Sequence, residues 1–458
     1  MKRWIWYLLL IPAILISCGK VNKGYDSLEK GLTGILENKD EKYIIKQLES
    51  SAKAGNLDAF ALAYLYAGPE GESFFNQFLK KSKGNAEYYK AVAMSDLGKP
   101  EKEIINMFEE ALKQGNNKAY YMIGNMYQEN LNFTKAQEYF EKGKNTGEIY
   151  STYSYNYNKN LTKEYKRIDE LNLKRNSNSI TPTEKKELGT LILEKFSNYE
   201  KSYEILKEFI DEGYPPALYV KAKILENENK DDEAVEIFNN LFFKNKYYMA
   251  AFEIAYKLVN LNQDYDLALR VLNDINSEDS LIMGYKGYIY ENLEMYDKAE
   301  ENYLKAVKKN DTDIMAYLGK LYETKKEWRK AEEIYTKAYN LGSISAGYGL
   351  ANVLEETKPS KNKEDIKSNK EAKKILQRLS NNGDDKSTIE LSLYYDIKNE
   401  EVKRLNLRAA TRFNPVAFYN LGVYYYHKKD KNKARLFLTV AKEYGYTLEE
   451  EFERYIKI

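Results

Sequence analysis

One histidine, one cysteine and 70 acidic residues are what this chain of 458 residues offers to catalysis. His427 stands in YYYHKK at the expected end of a helix. With no second histidine and no neighbouring cysteine it completes neither a nucleophile–base pair nor a metal-ligand set. Gly342, Gly347 and Gly349 cluster as phosphate-cradling glycines do, but no Gly-Lys-Ser/Thr follows and no strand precedes them. Asp311-Thr312-Asp313 begins like a calcium loop, yet the downstream glycine and glutamate are missing, so it reads as a helix N-cap. Paired carboxylates, the machinery of glycosidases, occur throughout because many solvated helix faces carry them. The residue types therefore predict a non-catalytic protein with no cofactor and no metal site. Cys18, being the sole cysteine, excludes a disulfide within the chain and leaves stability to packing.

Charge excludes a second class of function. Lys plus Arg number 71 against 70 acids, without the basic excess that nucleic-acid binding needs. The elements that must position any binding residues are announced by a repeat. GYIYENLEMYDKAEENYLKA is followed 32 residues later by GKLYETKKEWRKAEEIYTKA, so that Gly287, Tyr290, Ala299, Tyr303 and Ala306 map onto Gly319, Tyr322, Ala331, Tyr335 and Ala338. Each unit holds two stretches with apolar residues three and four apart, which predicts a helix pair. Around Gly124 the first helix carries Ile123 and Tyr127, and the second carries Ala136, Phe140 and Gly143. Small residues there let the helices approach, and the aromatic residues fill what space remains. A ladder of residues near the end of each second helix, from Ala52 through Ala111, Ala306 and Ala338 to Ala441, counts about 13 helix pairs. No pair can bury its apolar face alone, so neighbours must stack.

This pattern (Gly or Ala, then Tyr three on, Ala twelve on, an aromatic sixteen on and Ala nineteen on) resembles the tetratricopeptide repeat. Gly422, Tyr425, Ala434, Leu438 and Ala441 repeat it with Leu in the aromatic place. The junctions Ala111-Gly115-Ala119 and Ala338-Gly342-Ala346 resemble the Sel-like subfamily. Gly213 and Ala217 keep half of that junction, and Asn414-Pro415 replaces its glycine with a cap and a first-turn proline. The resemblance spans roughly residues 26–445 and implies an all-α, right-handed α-solenoid of antiparallel helix pairs. It also implies a concave surface that binds a protein or peptide. On each first helix that surface takes the residues six and three before the small position and one and four after it. The candidates are Phe60, Tyr64, Tyr89, Tyr121, Asn125, Tyr219, Phe252, Tyr256, Tyr288, Tyr419 and Tyr426. Tyrosine offers a large contact area and an orienting hydroxyl. In the most regular units the same stripe holds Gly284, Ala316, Lys320 and Glu323, so binding is expected on the less regular units flanking them.

The N-terminus reads as a targeting segment. Lys2 and Arg3 precede an apolar run, Trp4 to Ile16, too short to span a bilayer comfortably. Leu15-Ile16-Ser17-Cys18 resembles the lipobox of bacterial lipoproteins, which implies a signal peptide at 1–17, lipidation of Cys18 and a tether over 18–25. Gly19 after the cysteine points to the outer membrane, or the periplasmic face, of a cell with two membranes. The remaining boundaries are N-terminal repeats at 26–171, a polar seam at 172–187, C-terminal repeats at 188–446 with a charged insertion at 357–370, and a capping helix at 447–458. Helix is expected to restart at Thr181, with Glu184 closing a capping box. Together these features predict a lipid-anchored, membrane-bound envelope protein that acts as a protein- or peptide-binding scaffold. The alternative is a cell-wall glycan-binding or envelope-assembly factor.

Overall fold

A Cβ built on Gly124 would lie 2.4 Å from Cε1 of Phe140, and one on Gly287 would lie 2.5 Å from Cδ1 of Tyr303. Gly319 with Tyr335 and Gly422 with Leu438 repeat the contact, each separated by sixteen residues. The repeat signature is thus a steric requirement: a ring or isobutyl group on the second helix rests on the bare backbone of the first. The computed structural model describes residues 22–275, 277–307, 311–357 and 369–457. Among them the secondary structure is helical throughout. The helices form thirteen consecutive pairs, from Asn22–Leu36 with Glu41–Lys53 to Pro415–His427 with Lys431–Glu443, and one closing helix, Glu450–Lys457. The second pair is the irregular one, its Asp58–Ala67 helix running into a 3₁₀ turn and the short Glu72–Asn76 helix. The all-α class and the number of pairs agree with the repeat count.

Junctions follow the expected chemistry. Gly115 (φ +94°) and Gly342 (φ +104°) are left-handed. Around Gly115 a Cβ would meet nothing within 4 Å, so conformation alone calls for glycine there. At 414–415 the left-handed place falls to Phe413 (φ +58°). Asn414 then caps by accepting from the Val416 and Ala417 amides at 3.0 and 3.4 Å, with Pro415 in the first turn. The Asp311 carboxylate accepts from the Asp313 and Ile314 amides, both at 3.1 Å, and is the N-cap of helix Thr312–Thr324.

The stretch 172–187, expected as a seam, is helix as far as Asn176. Its polarity serves ion pairs to the next helix, Lys174 to Glu184 at 2.6 Å and Arg167 to Glu187 in a two-pronged pair at 2.6 and 2.7 Å. The capping box forms: Thr181 Oγ1 accepts from the Glu184 amide (3.2 Å), and Glu184 Oε2 accepts from the Thr181 amide (3.0 Å). Of the insertion at 357–370, residues 358–368 lie outside the described residues, as do 1–21 with the signal segment and Cys18.

The chain forms two compact units that differ from the two expected groups of repeats. One contains the described residues to Ile123, Lys142–Ser151 and Gly347 onward; the other contains Gly124–Glu141 and Thr152–Ala346. In the first unit the opening helix, Asn22–Leu36, packs on Glu400–Ala410 near the end of the chain. Glu29, with its side chain 4 % exposed, accepts from the Tyr425 hydroxyl and pairs with Lys433, both at 2.5 Å. Asp58 accepts from the Tyr25 hydroxyl at 3.2 Å and faces Arg408 Nε at 3.6 Å. Repeats 1–2 and 12–13 therefore share one interior, a pairing of residues nearly 400 positions apart that no local pattern announces. The closing helix and the residues before it cover the last pair through Phe452 and Leu448, which join Leu438, Tyr419, Val423 and Tyr426.

Candidate functional site

The sequence candidates fall into three groups. Phe60, Tyr64, Tyr89 and Tyr219 are core residues, between 1 % and 7 % exposed. Phe60 packs edge-on against Phe74 and Phe78, and Tyr219 donates from its hydroxyl to the buried Glu253 at 2.7 Å. These four are not available to a partner, because residues of their own and adjacent pairs pack over them. Tyr419 and Tyr426, both half-buried, pack on the end of the chain: Tyr419 stacks on Tyr446, before the closing helix, at 4.5 Å, and Tyr426 meets Phe452 of that helix at 5.4 Å and donates to Glu451 at 2.8 Å. Tyr121, half-buried, leans on Tyr150 at 5.5 Å, and Asn125 is half-buried as well. Phe252, Tyr256 and Tyr288 are the ones brought together.

They line a cavity of about 920 Å³ inside the second unit. The first helices of three successive pairs, Tyr248–Asn262, Ser280–Asn292 and Thr312–Thr324, supply most of its wall. With Ala255, Gly287 and Gly319 as the small positions, the wall takes the residue six before each: Met249, Leu281 and Asp313. It takes Phe252 and Gly284 from three before, and Tyr256 and Tyr288 from one after. Tyr285 and Tyr317, two before their glycines and 32 residues apart, were missed by a stripe drawn at other positions. Tyr157 and Leu161, together with Glu194 and Lys195 at the end of helix Pro182–Phe196, complete the rim. These came from repeats outside the regular stretch, so no spacing could have linked them to Tyr288.

The rings form a connected surface. Phe252 meets Tyr285 edge-on at 5.1 Å, Tyr285 stacks on Tyr288 at 5.6 Å, and Tyr256 lies 6.1 Å from Phe252. Tyr157, Tyr256 and Tyr317 stay 47–49 % exposed, and Leu281 is exposed too. Large apolar groups left open side by side in a concavity mark a contact surface rather than scattered exposure. The cavity draws both on a pair flanking the regular units, through Phe252 and Tyr256, and on the regular units themselves, through Gly284, Tyr285, Tyr288 and Tyr317.

Among the described residues four carboxylates share the lining, Glu194, Asp279, Asp311 and Asp313, with one cation, Lys195. Burial raises the Glu194 carboxyl above its usual range, with Asp279 adding to the shift and Lys195 opposing it. Burial and then Asp311 raise the Asp313 carboxyl. Burial, followed by Asp311, Asp313 and Asp279, pushes the Tyr157 hydroxyl up. The cavity can therefore bind through ring faces, hydroxyls and negative charge. No group of His, Cys, Asp or Glu among the described residues has metal-binding geometry. His427 is exposed at the end of its helix, edge-on to Tyr426 at 5.8 Å.

Comparison with known proteins places the repeats. The tetratricopeptide repeat family matches residues 118–144 and 285–310, the second segment carrying Tyr285 and Tyr288 of the cavity. No curated protein is significantly similar to the chain. Among solved structures, a Sel1 repeat protein from Oxalobacter formigenes is 18 % identical, with 49 % of this chain and 98 % of that one aligned at a TM-score of 0.39. A protective antigen of uropathogenic Escherichia coli strains displaying an SLR fold is 16 % identical over 95 % and 93 % of the two chains, at 0.30. The Cut9–Hcn1 hetero-tetramer of APC/C is 13 % identical over 95 % and 96 %, at 0.41. The two matched segments are similar to tetratricopeptide repeats, which generally serve protein–protein contacts, and no enzyme family is indicated.

Proposed function

We propose that this chain is a lipid-anchored, non-catalytic scaffold of the cell envelope that holds a protein or peptide in the tyrosine-lined cavity of its second unit. The observation that carries the reading is the convergence of Phe252, Tyr256, Tyr285 and Tyr288 on one open concavity of about 920 Å³. A volume of that size accepts several side chains of an extended segment, and aromatic residues are the usual anchors of such contacts. Envelope attachment rests on the lipobox-like Leu15-Ile16-Ser17-Cys18.

The test is capture from detergent-solubilised envelope with wild type and with a Tyr256→Ala/Tyr288→Ala variant. A partner retained by wild type and lost by the variant is the expected result; identical recoveries would overturn the assignment. Cys18→Ala should abolish lipidation and release the protein from the membrane fraction, and unchanged fractionation would remove the anchor from the proposal. Glycan is the competing ligand, since the nearly parallel Tyr285 and Tyr288 rings (19°) also suit the flat face of a sugar. Thermal protection by soluble cell-wall fragments, absent from the variant, would favour it.

A further inference from the structure

Fifteen ring faces among the described residues carry one of the protein's own cations at 3.7 to 5.8 Å, for example Lys386 over Tyr348 and Lys373 over Tyr395. Thirteen of the fifteen are tyrosines, so in a chain with 71 lysines and arginines and 43 tyrosines a cation over the ring is a recurrent arrangement. None of those contacts falls on the six tyrosines of the cavity, Tyr157, Tyr248, Tyr256, Tyr285, Tyr288 and Tyr317. Among the described residues the same wall holds Glu194, Asp311 and Asp313 against one lysine, Lys195, in a chain whose formal charge is only +1.

We infer that the cavity selects a basic segment, seating a lysine or arginine side chain of the bound peptide between its tyrosine faces and its carboxylates. This deepens the peptide-binding reading and rests on it. Two independent features favour a cation over a neutral or acidic side chain. Ring faces present the negative side of their quadrupole, and three of these rings are about half exposed. The carboxylates Glu194 and Asp313 are partly withdrawn from water, and burial first of all, with a neighbouring carboxylate in each case, holds both above their usual range. A cation entering between them lowers that penalty, and an anion increases it. Among the described residues of the lining Lys195 is the one cation facing Glu194, Asp311 and Asp313, and Lys320, from the equivalent place in the next repeat, is not part of the lining.

The experiment uses the whole chain and three labelled peptides of equal length, oligo-lysine, oligo-glutamine and oligo-glutamate, read by fluorescence anisotropy. Oligo-lysine should bind most tightly and be displaced by arginine methyl ester. Its affinity should fall about tenfold in Glu194→Gln/Asp313→Asn and again in Tyr256→Ala/Tyr288→Ala. It should be unchanged in Asp231→Asn/Asp232→Asn, which removes an exposed acidic pair elsewhere in the same unit. Equal loss in that remote variant would reduce the effect to bulk charge and overturn the inference. Equal binding of oligo-glutamine and oligo-lysine, both lost in the tyrosine variant, would overturn the preference for a cation while leaving the peptide site standing. No binding of any peptide, together with an empty envelope capture, would remove the site itself. Circular dichroism of the near-isosteric Glu194→Gln/Asp313→Asn variant checks that its fold is intact.

Discussion

Replacing Gly287 by alanine sets two effects of opposite sign against each other. Gly287 lies inside helix Ser280–Asn292, where alanine is favoured over glycine by about 1 kcal/mol. On propensity alone the variant would be more stable. The added Cβ, however, would stand 2.5 and 2.6 Å from Cδ1 and Cε1 of Tyr303, where ordinary contact begins at 3.4 Å. The ring would have to retreat by about 1 Å, and it has nowhere to go: Tyr303 is fully buried, and its hydroxyl donates to Glu291 at 2.8 Å. Overpacking of this kind costs roughly 1–3 kcal/mol, and a ring held at both ends belongs at the upper end of that range. The net expectation is a loss of about 2 kcal/mol. The assay is urea unfolding by circular dichroism in a double-mutant cycle. Tyr303→Ala alone should cost about 3–5 kcal/mol, but in its background Gly287→Ala should stabilise by up to about 1 kcal/mol, because the obstruction is gone. A stabilised Gly287→Ala single variant, or the same effect in both backgrounds, would refute the claim that the repeat glycine exists to seat the ring sixteen residues on.

Two other perturbations test the remaining structure. Glu29→Gln removes the buried charge that joins the opening helix to Tyr425 and Lys433; a loss of about 1–3 kcal/mol and faster amide exchange across Asn22–Leu36 are expected, and unaltered exchange there would contradict the packing. Glu184, bonded first of all by Lys174 and also by the Thr181 amide, has its carboxyl lowered to about 2. A depressed carboxyl contributes stability that is present above its unfolded value near 4.5 and is lost as pH falls through 2. Exchange at the start of helix Pro182–Phe196 should therefore accelerate across that window in wild type, and Glu184→Gln should show no such step.

The sequence by itself determined what repeats along the chain. The sixteen-residue step from Gly287 to Tyr303, the left-handed Gly115 and Gly342 and the Thr181–Glu184 capping box all depend on neighbours within one or two helices. Backbone sterics and local hydrogen bonds determine such features, and the number of helix pairs follows from them. Tertiary structure alone decided which tyrosines are covered. Phe60 and Tyr219 obey the same spacing as Phe252, yet Phe74 and Phe78 of its own pair bury the first, Tyr247 and Glu253 of the next pair bury the second, and the third stays on a cavity wall. Tyr419 and Tyr426 are partly covered by Tyr446 and by a closing helix that the sequence could place but not aim. The acidic partners of the site, Glu194 and Asp313, lie more than a hundred residues apart, and Glu29 finds Tyr425 across nearly the whole chain. Periodicity specifies which face of a helix is apolar. Whether that face meets another helix or solvent depends on the path of the entire chain, because burial is a property of everything that packs nearby.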